Sequence, residues 1–317
     1  MCSSDLAATA TSGLAVTFSI ASASAAVCSI SSGVVRFIGV GTCTLNADQA
    51  GNANFLAATQ VQQSFSVKSG AGHDFDGAGK ADILWRGPAG EVAVWLMNGG
   101  TLLSGPGVSG APLSWTIAGT GDFDGDGKSD ILWRGPGGEV AIWFMNGGTL
   151  LSGPIVAGAP TTWTIAATGD FDGDGKSDIL WREAGGTVGV WLMNGAAIAN
   201  APVVAVASLA WTIAGTGDFD GDGKTDILWR ENAPGINVAV WFMNGGTLVS
   251  GPLIGNASTA WSISAAADLN GDGKSDVIWR DTSGNVAAWL MNGATLTSGP
   301  LIANVGTSWV IQRSNMH

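Results

Sequence analysis

The chain has 317 residues, 12% of them charged and 46% hydrophobic, with a formal net charge of −12. That much apolar material can fill a large core. The acidic balance excludes nucleic acid, which needs a basic surface. The sequence contains no apolar run of the roughly 18 residues that a transmembrane helix requires.

Residues 1–6, Met-Cys-Ser-Ser-Asp-Leu, read as a non-native leader, similar to the translation of a sequencing-adapter end. On that reading the gene begins upstream, Cys2 is set aside, and an upstream domain or secretion signal is open. Residues 7–68 are rich in Ala, Ser, Thr and Val and hold no Trp. Val16–Ala21, Val34–Val40, Cys43–Asn46 and Gln62–Lys68 alternate as strands do. Cys28 and Cys43 lie on neighbouring strand candidates, either as a disulfide or as two buried thiols. The stretch from Gly41-Thr42-Cys43-Thr44 through Gly51-Asn52-Ala53-Asn54-Phe55 to Ser64-Phe65-Ser66-Val67 resembles bacterial immunoglobulin-like domains. The resemblance implies a partial β-sandwich. Residues 69–73 form a linker.

From residue 74 the chain repeats. DFDGDGKSDILWR begins at Asp122, recurs at Asp170, and recurs with Ser changed to Thr at Asp218, with weaker copies at Asp74 and Asp268. These loops hold 18 of the 25 acidic residues. In nine-position terms, Asp122, Asp124 and Asp126 stand at 1, 3 and 5, Gly127 at 6, Lys128 at 7 and Asp130 at 9. Hard cations such as Ca²⁺ take six to eight oxygens, and alternating Asp residues aim carboxylates at one centre if a Gly lets the backbone turn sharply. Lys128 would contribute its backbone carbonyl and keep its ammonium in water. Without a cation, clustered carboxylates repel and their pKa values rise.

Asp170, Asp172, Asp174, Lys176 and Asp178 form a second full set, and Asp218, Asp220, Asp222, Lys224 and Asp226 a third. The last loop offers Asp268, Asn270, Asp272, Lys274 and Asp276. The first offers Asp74, Asp76 and Asp82 with Ala78 at position 5, so its site is expected to be weak or empty. Up to five calcium ions are therefore expected, offsetting most of the formal charge. An EF-hand would need a Glu at position 12, where this chain has Trp133. The competing reading is a set of Asp/Gly hairpin turns without metal.

All fifteen Trp fall into three registers that step with the loops, headed by Trp85, Trp95 and Trp115. Each unit offers four strands, in the second unit Asp130–Arg134, Glu139–Met145, Thr149–Val156 and Trp163–Phe171, separated by turn sequences. Helix periodicity is absent. Four strands in about 48 residues is the size of a propeller blade. The chain ends with a surplus Trp-containing strand, residues 308–313, while the first loop has none before it. The expected fold is all-β: a five-bladed β-propeller over residues 74–313, with residues 308–313 completing the first blade and closing the ring.

The loops followed by Ile-Leu-Trp-Arg resemble bacterial FG-GAP, or VCBS, repeats, which are related to the propeller of integrin α-subunits. The resemblance implies calcium in a hairpin between the first two strands of each blade. Five units depart from the usual seven blades. It implies an extracellular, bacterial, calcium-stabilised and monomeric binding module, presenting loops to a protein or glycan ligand at a cell surface or matrix. A lectin-like propeller is the alternative, with Trp115 and its equivalents the best stacking platforms. A third is a targeting module for a catalytic domain encoded upstream. An enzyme is not expected here. The chain has two His, no Tyr and no nucleophile motif.

Overall fold

The computed structural model describes residues 3–5, 8–25, 27–31, 34–37, 41–67 and 73–308. The described residues are all-β, apart from one 3-10 turn at Ser22–Ser24. No helix among them is long and apolar enough to cross a membrane.

Ahead of the repeats lie two three-stranded antiparallel sheets. One joins Thr17–Ile20, Gly41–Asp48 and Val61–Val67, and the other Cys28–Ser31, Val34–Phe37 and Ser3–Asp5. Residues 3–5 of the leader thus pair with residues 34–36. Cys28 and Cys43 are disulfide-bonded, tying one sheet to the other, and are buried with Val35 and Leu45.

Five further sheets follow, one per calcium-type loop. Sheet three shows the plan. An inner strand, Trp163–Gly169, runs into the loop, and Asp178–Glu183 returns from it. Thr187–Asn194 comes next, then an outer strand in two pieces, Ala197–Asn200 and Val203–Val206. The fourth run of units one to four therefore opens the next sheet, and in sheets two to five the loop sits between the first two strands, whereas sheet one begins, among the described residues, with Ile83–Arg86 after its loop.

The single strand expected at 149–156 is divided into Thr149–Ser152 and Ile155–Gly158. Pro154 has no N–H for the ladder. Its carbonyl instead accepts from Ile142 N at 3.2 Å. The two pieces pair with opposite ends of Glu139–Asn146 in shifted registers.

The apolar strands are buried because consecutive sheets stack face to face. Phe123, Leu132, Val140, Ile142 and Phe144 of sheet two pack on Ile179, Trp181 and Met193 of sheet three. Equivalent clusters fill the other three seams. The Arg that ends each Ile-Leu-Trp-Arg run lies over the next sheet's Trp, as Arg134 over Trp181 at 5.0 Å from the ring centroid. Near the inner strands, Thr168 Oγ1 donates to Thr120 O of the preceding sheet at 2.7 Å.

The two end faces differ from the seams. Trp85 is 45% exposed, against 1% for Trp133, Trp181, Trp229 and Trp279, and Leu269 is 44% exposed where Phe75, Phe123, Phe171 and Phe219 are at 0%. No sheet covers these faces among the described residues. The closing strand expected at 308–313 lies outside them except for Ser308, and no sheet is closed among the described residues.

Candidate metal centres in the five loops

Each loop is shaped by its first Asp acting as an acceptor for the backbone that follows. Asp122 Oδ1 accepts from Gly125 N at 2.7 Å and Asp126 N at 3.1 Å, and Oδ2 accepts from Gly127 N at 2.8 Å. Wrapping the chain this tightly puts Gly125 and Gly127 at φ +81° and +85°, where a Cβ is strained. The ninth residue fixes the loop to its sheet. Asp130 Oδ2 accepts from Phe123 N at 3.0 Å, and Oδ1 from Met145 N at 2.9 Å.

These contacts bring positions 1, 3 and 9 together. Carboxylate oxygens of Asp122, Asp124 and Asp130 lie within 4.8 Å of one another, as do those of Asp170, Asp172 and Asp178, of Asp218, Asp220 and Asp226, and of Asp74, Asp76 and Asp82. Position 9 is fully buried in loops two to five. Burial is the main reason that the Asp130 carboxyl is pushed up to about 8 and those of Asp178 and Asp226 to about 7, with neighbouring carboxylates adding to it. Asp82, Asp122 and Asp218 are raised for the same reason. Buried oxygens that repel one another suit a divalent cation, and the donor set is the hard-oxygen type that Ca²⁺ takes.

Position 5 falls outside the triads. Asp126, Asp174 and Asp222 are paired with the ammonium groups of Lys128, Lys176 and Lys224 at 3.2, 3.0 and 3.3 Å. Ala78 in loop one therefore replaces a group that the complete loops tie to lysine, and its triad forms without it. In loop five, Asn270 Oδ1 accepts from Asp272 N at 2.9 Å, and Asp276 accepts from Leu269 N and Met291 N as its counterparts do. The Lys274 ammonium donates to Asn292 rather than to Asp272.

The loops are also stitched to one another through residues that ligand counting does not reveal. Position 8 of each loop donates its N–H to the position-1 carbonyl of the loop before. Ser129 bonds Asp74 O at 2.7 Å, Ser177 Asp122 O at 2.6 Å, Thr225 Asp170 O at 2.7 Å and Ser275 Asp218 O at 2.6 Å. The Gly after each Asn of the Met-Asn-Gly turn does the same for position 2, as Gly195 N to Phe123 O at 3.0 Å. Each Asp cluster is thus walled on one side by its successor. Both bonds are backbone to backbone, so no side-chain pattern in the sequence signals them.

The model of the FG-GAP-like repeat matches at residues 74–133, 122–181, 170–229 and 218–279. No curated protein matches the chain in sequence. Among solved structures, Raptor of Chaetomium thermophilum superposes with a TM-score of 0.37 at 9% identity, over 58% of this chain and 16% of that one. That similarity is too distant to carry an argument. The repeat matches together span residues 74–279, well over half of the sequence, with the loop in the same place in every copy, and the chain belongs to the FG-GAP-like repeat family.

Proposed function

We propose that this chain is an extracellular, calcium-stabilised β-propeller module that binds a protein or glycan ligand, with calcium in a structural role. The observation that carries the reading is the Asp triad formed four times at the same place in successive units, in three of them between a sheet's first two strands. Asp122, Asp124 and Asp130 and their equivalents would hold the ions, and bound calcium would neutralise the mutual repulsion of the carboxylates. Open carboxylate sites on exposed loops suit millimolar extracellular calcium. The Cys28–Cys43 bond suits an oxidising compartment, and the sheets it joins are read as a partial immunoglobulin-like domain. Elemental analysis should return about four calcium ions per chain, one per triad, with a further ion if the Asn270 loop also loads. Protein that carries none after dialysis against millimolar calcium would reject the reading.

Closure of the ring belongs to the same proposal. Residues 308–313 would pair with Ile83–Arg86 as Trp163–Gly169 pairs with Asp178–Glu183. Deleting residues 308–317 should then lower the melting temperature of the whole array cooperatively, because two sheet edges are released at once. An unchanged thermogram would reject closure.

A lectin activity is the second reading, favoured by the half-buried Trp163 and Trp191 at the seam between sheets two and three. Service as the targeting module of a secreted enzyme is the third, with catalysis in a domain upstream.

A further inference from the structure

Two residues of sheet three set the seam between sheets two and three apart. Gly189 stands where the other four units have Ala93, Ala141, Ala239 and Ala287. Ala201 stands where units one, two and four have Gly105, Gly153 and Gly251 and unit five has Gly299, whose Cβ position already lies 3.7 Å from Trp289 Cδ1. At Gly105, Gly153 and Gly251 a Cβ would meet Cδ1 of Trp95, Trp143 and Trp241 at 2.8, 2.8 and 2.9 Å. The Ala201 turn and Trp191 must therefore stand farther apart than in units one, two and four. Together the two changes coincide with an open cavity of about 220 Å³ on the leading face of sheet three, floored by Gly189 and Trp181 and walled by Trp163, Trp191, Pro160 and Pro202.

The chemistry of this cavity is restrictive. No charged side chain lines it. A cationic ligand is disfavoured, because the Arg134 guanidinium already covers the Trp181 ring. An anion gains little, since Arg134 is committed to the carbonyls of Gly138, Ala159, Pro160 and Trp163 and the chain as a whole is strongly acidic. A purely apolar ligand would leave unused the second lone pair of carbonyl oxygens that line the cavity. Pro202 O is one of these. It accepts Val190 N at 3.1 Å and lies 3.4 Å from where a Gly189 Cβ would stand. The half-buried indoles of Trp163 and Trp191 offer faces to an apolar ring surface. What remains is a neutral ring with an apolar face and hydroxyl donors at its edge. The volume, below the roughly 300 Å³ where drug-sized sites begin, admits one such ring.

We propose that the seam between sheets two and three binds a single neutral pyranose unit, stacked on Trp163 and Trp191 and hydrogen-bonded to Pro202 O beside Gly189. The proposal deepens the binding-module reading and rests on it for the fold, so its test uses calcium-loaded protein whose ion content is measured in the same sample. Failure of sugar binding with calcium retained then falls on this proposal alone.

The decisive variant is Gly189→Ala. A methyl there meets Trp163 Cζ3 and Pro202 O at 3.4 Å, an ordinary contact, and it recreates the residue of the other four units. Melting should be unchanged while the cavity floor is filled. Methyl glycosides of neutral hexoses and N-acetylhexosamines, titrated against tryptophan fluorescence and ligand-observed NMR, should bind the parent chain with millimolar affinity. One added methyl in such a pocket should weaken that binding about tenfold or more. Trp163→Ala should weaken it comparably. Three results would overturn the proposal: no glycoside binding to the parent chain, equal binding by Gly189→Ala, or tetramethylammonium or acetate displacing the glycoside at equal concentration.

Discussion

Chelating calcium should lower the melting temperature of the repeat array by tens of degrees. A ligand at a hundred times its Kd stabilises the state it binds by about 2.7 kcal/mol per site. Four triads together therefore contribute on the order of 10 kcal/mol, as large as the whole net stability of an ordinary domain. For an array of this length that corresponds to a shift on the order of 20–40 °C. The effect should be cooperative across the seams, because position 8 of each loop bonds to the loop before it. Loosening one loop removes a wall of its neighbour. The disulfide-bonded sheets of residues 8–67 hold no acid triad among the described residues and should melt independently of calcium. Calorimetry with EDTA and with calcium, at equal ionic strength, measures both. Superimposable thermograms would remove calcium from the account of stability.

The repeat chemistry was legible in the sequence because it is written in spacing. Asp at positions 1, 3 and 9 and Gly at 6 set how a nine-residue loop can curl, and the Trp registers count the sheets independently. Three features were not legible. The outer strand breaks at Gly153-Pro154, where the missing N–H interrupts the ladder between Thr149–Ser152 and Ile155–Gly158. Asp126 leaves the cluster for Lys128 because an ion pair two residues away competes with the centre, and spacing alone does not decide that competition. The cavity at Gly189 coincides with two one-carbon differences, Gly189 and Ala201, whose consequence emerges only when Trp163, Trp191 and Pro202 are placed around them. Local pattern fixes the loop, whereas long-range packing fixes what each side chain does in it.

The metal-free array should become more stable as pH falls from 8 to 5, the reverse of the calcium-loaded array. In the folded chain Asp130 is raised to about 8 and Asp178 and Asp226 to about 7, from an ordinary value of 3.8. Between pH 4 and 8 the folded state thus binds more protons than the unfolded state, and stability falls with rising pH across that window. The contribution is fully present below the unfolded value and is lost as pH passes through 7 to 8. Calcium needs the same carboxylates ionised, so its binding near neutrality releases protons and weakens in acid. Melting curves recorded with EDTA and with calcium should converge towards pH 5 and separate towards pH 8. If melting in EDTA rises with pH, the clustered carboxylates are not strained in the way that their burial implies. Asp178→Asn separates charge from hydrogen bonding. A protonated carboxyl can still accept from both Phe171 N and Met193 N, whereas an amide turns a donor towards one of them. The variant should therefore melt lower than the parent in EDTA at pH 5 as well as in calcium at pH 8, by the roughly 1–3 kcal/mol of a buried unsatisfied N–H. Parent-like melting of this variant in both conditions would mean that the position-9 carboxylate does not tie the loop to its sheet.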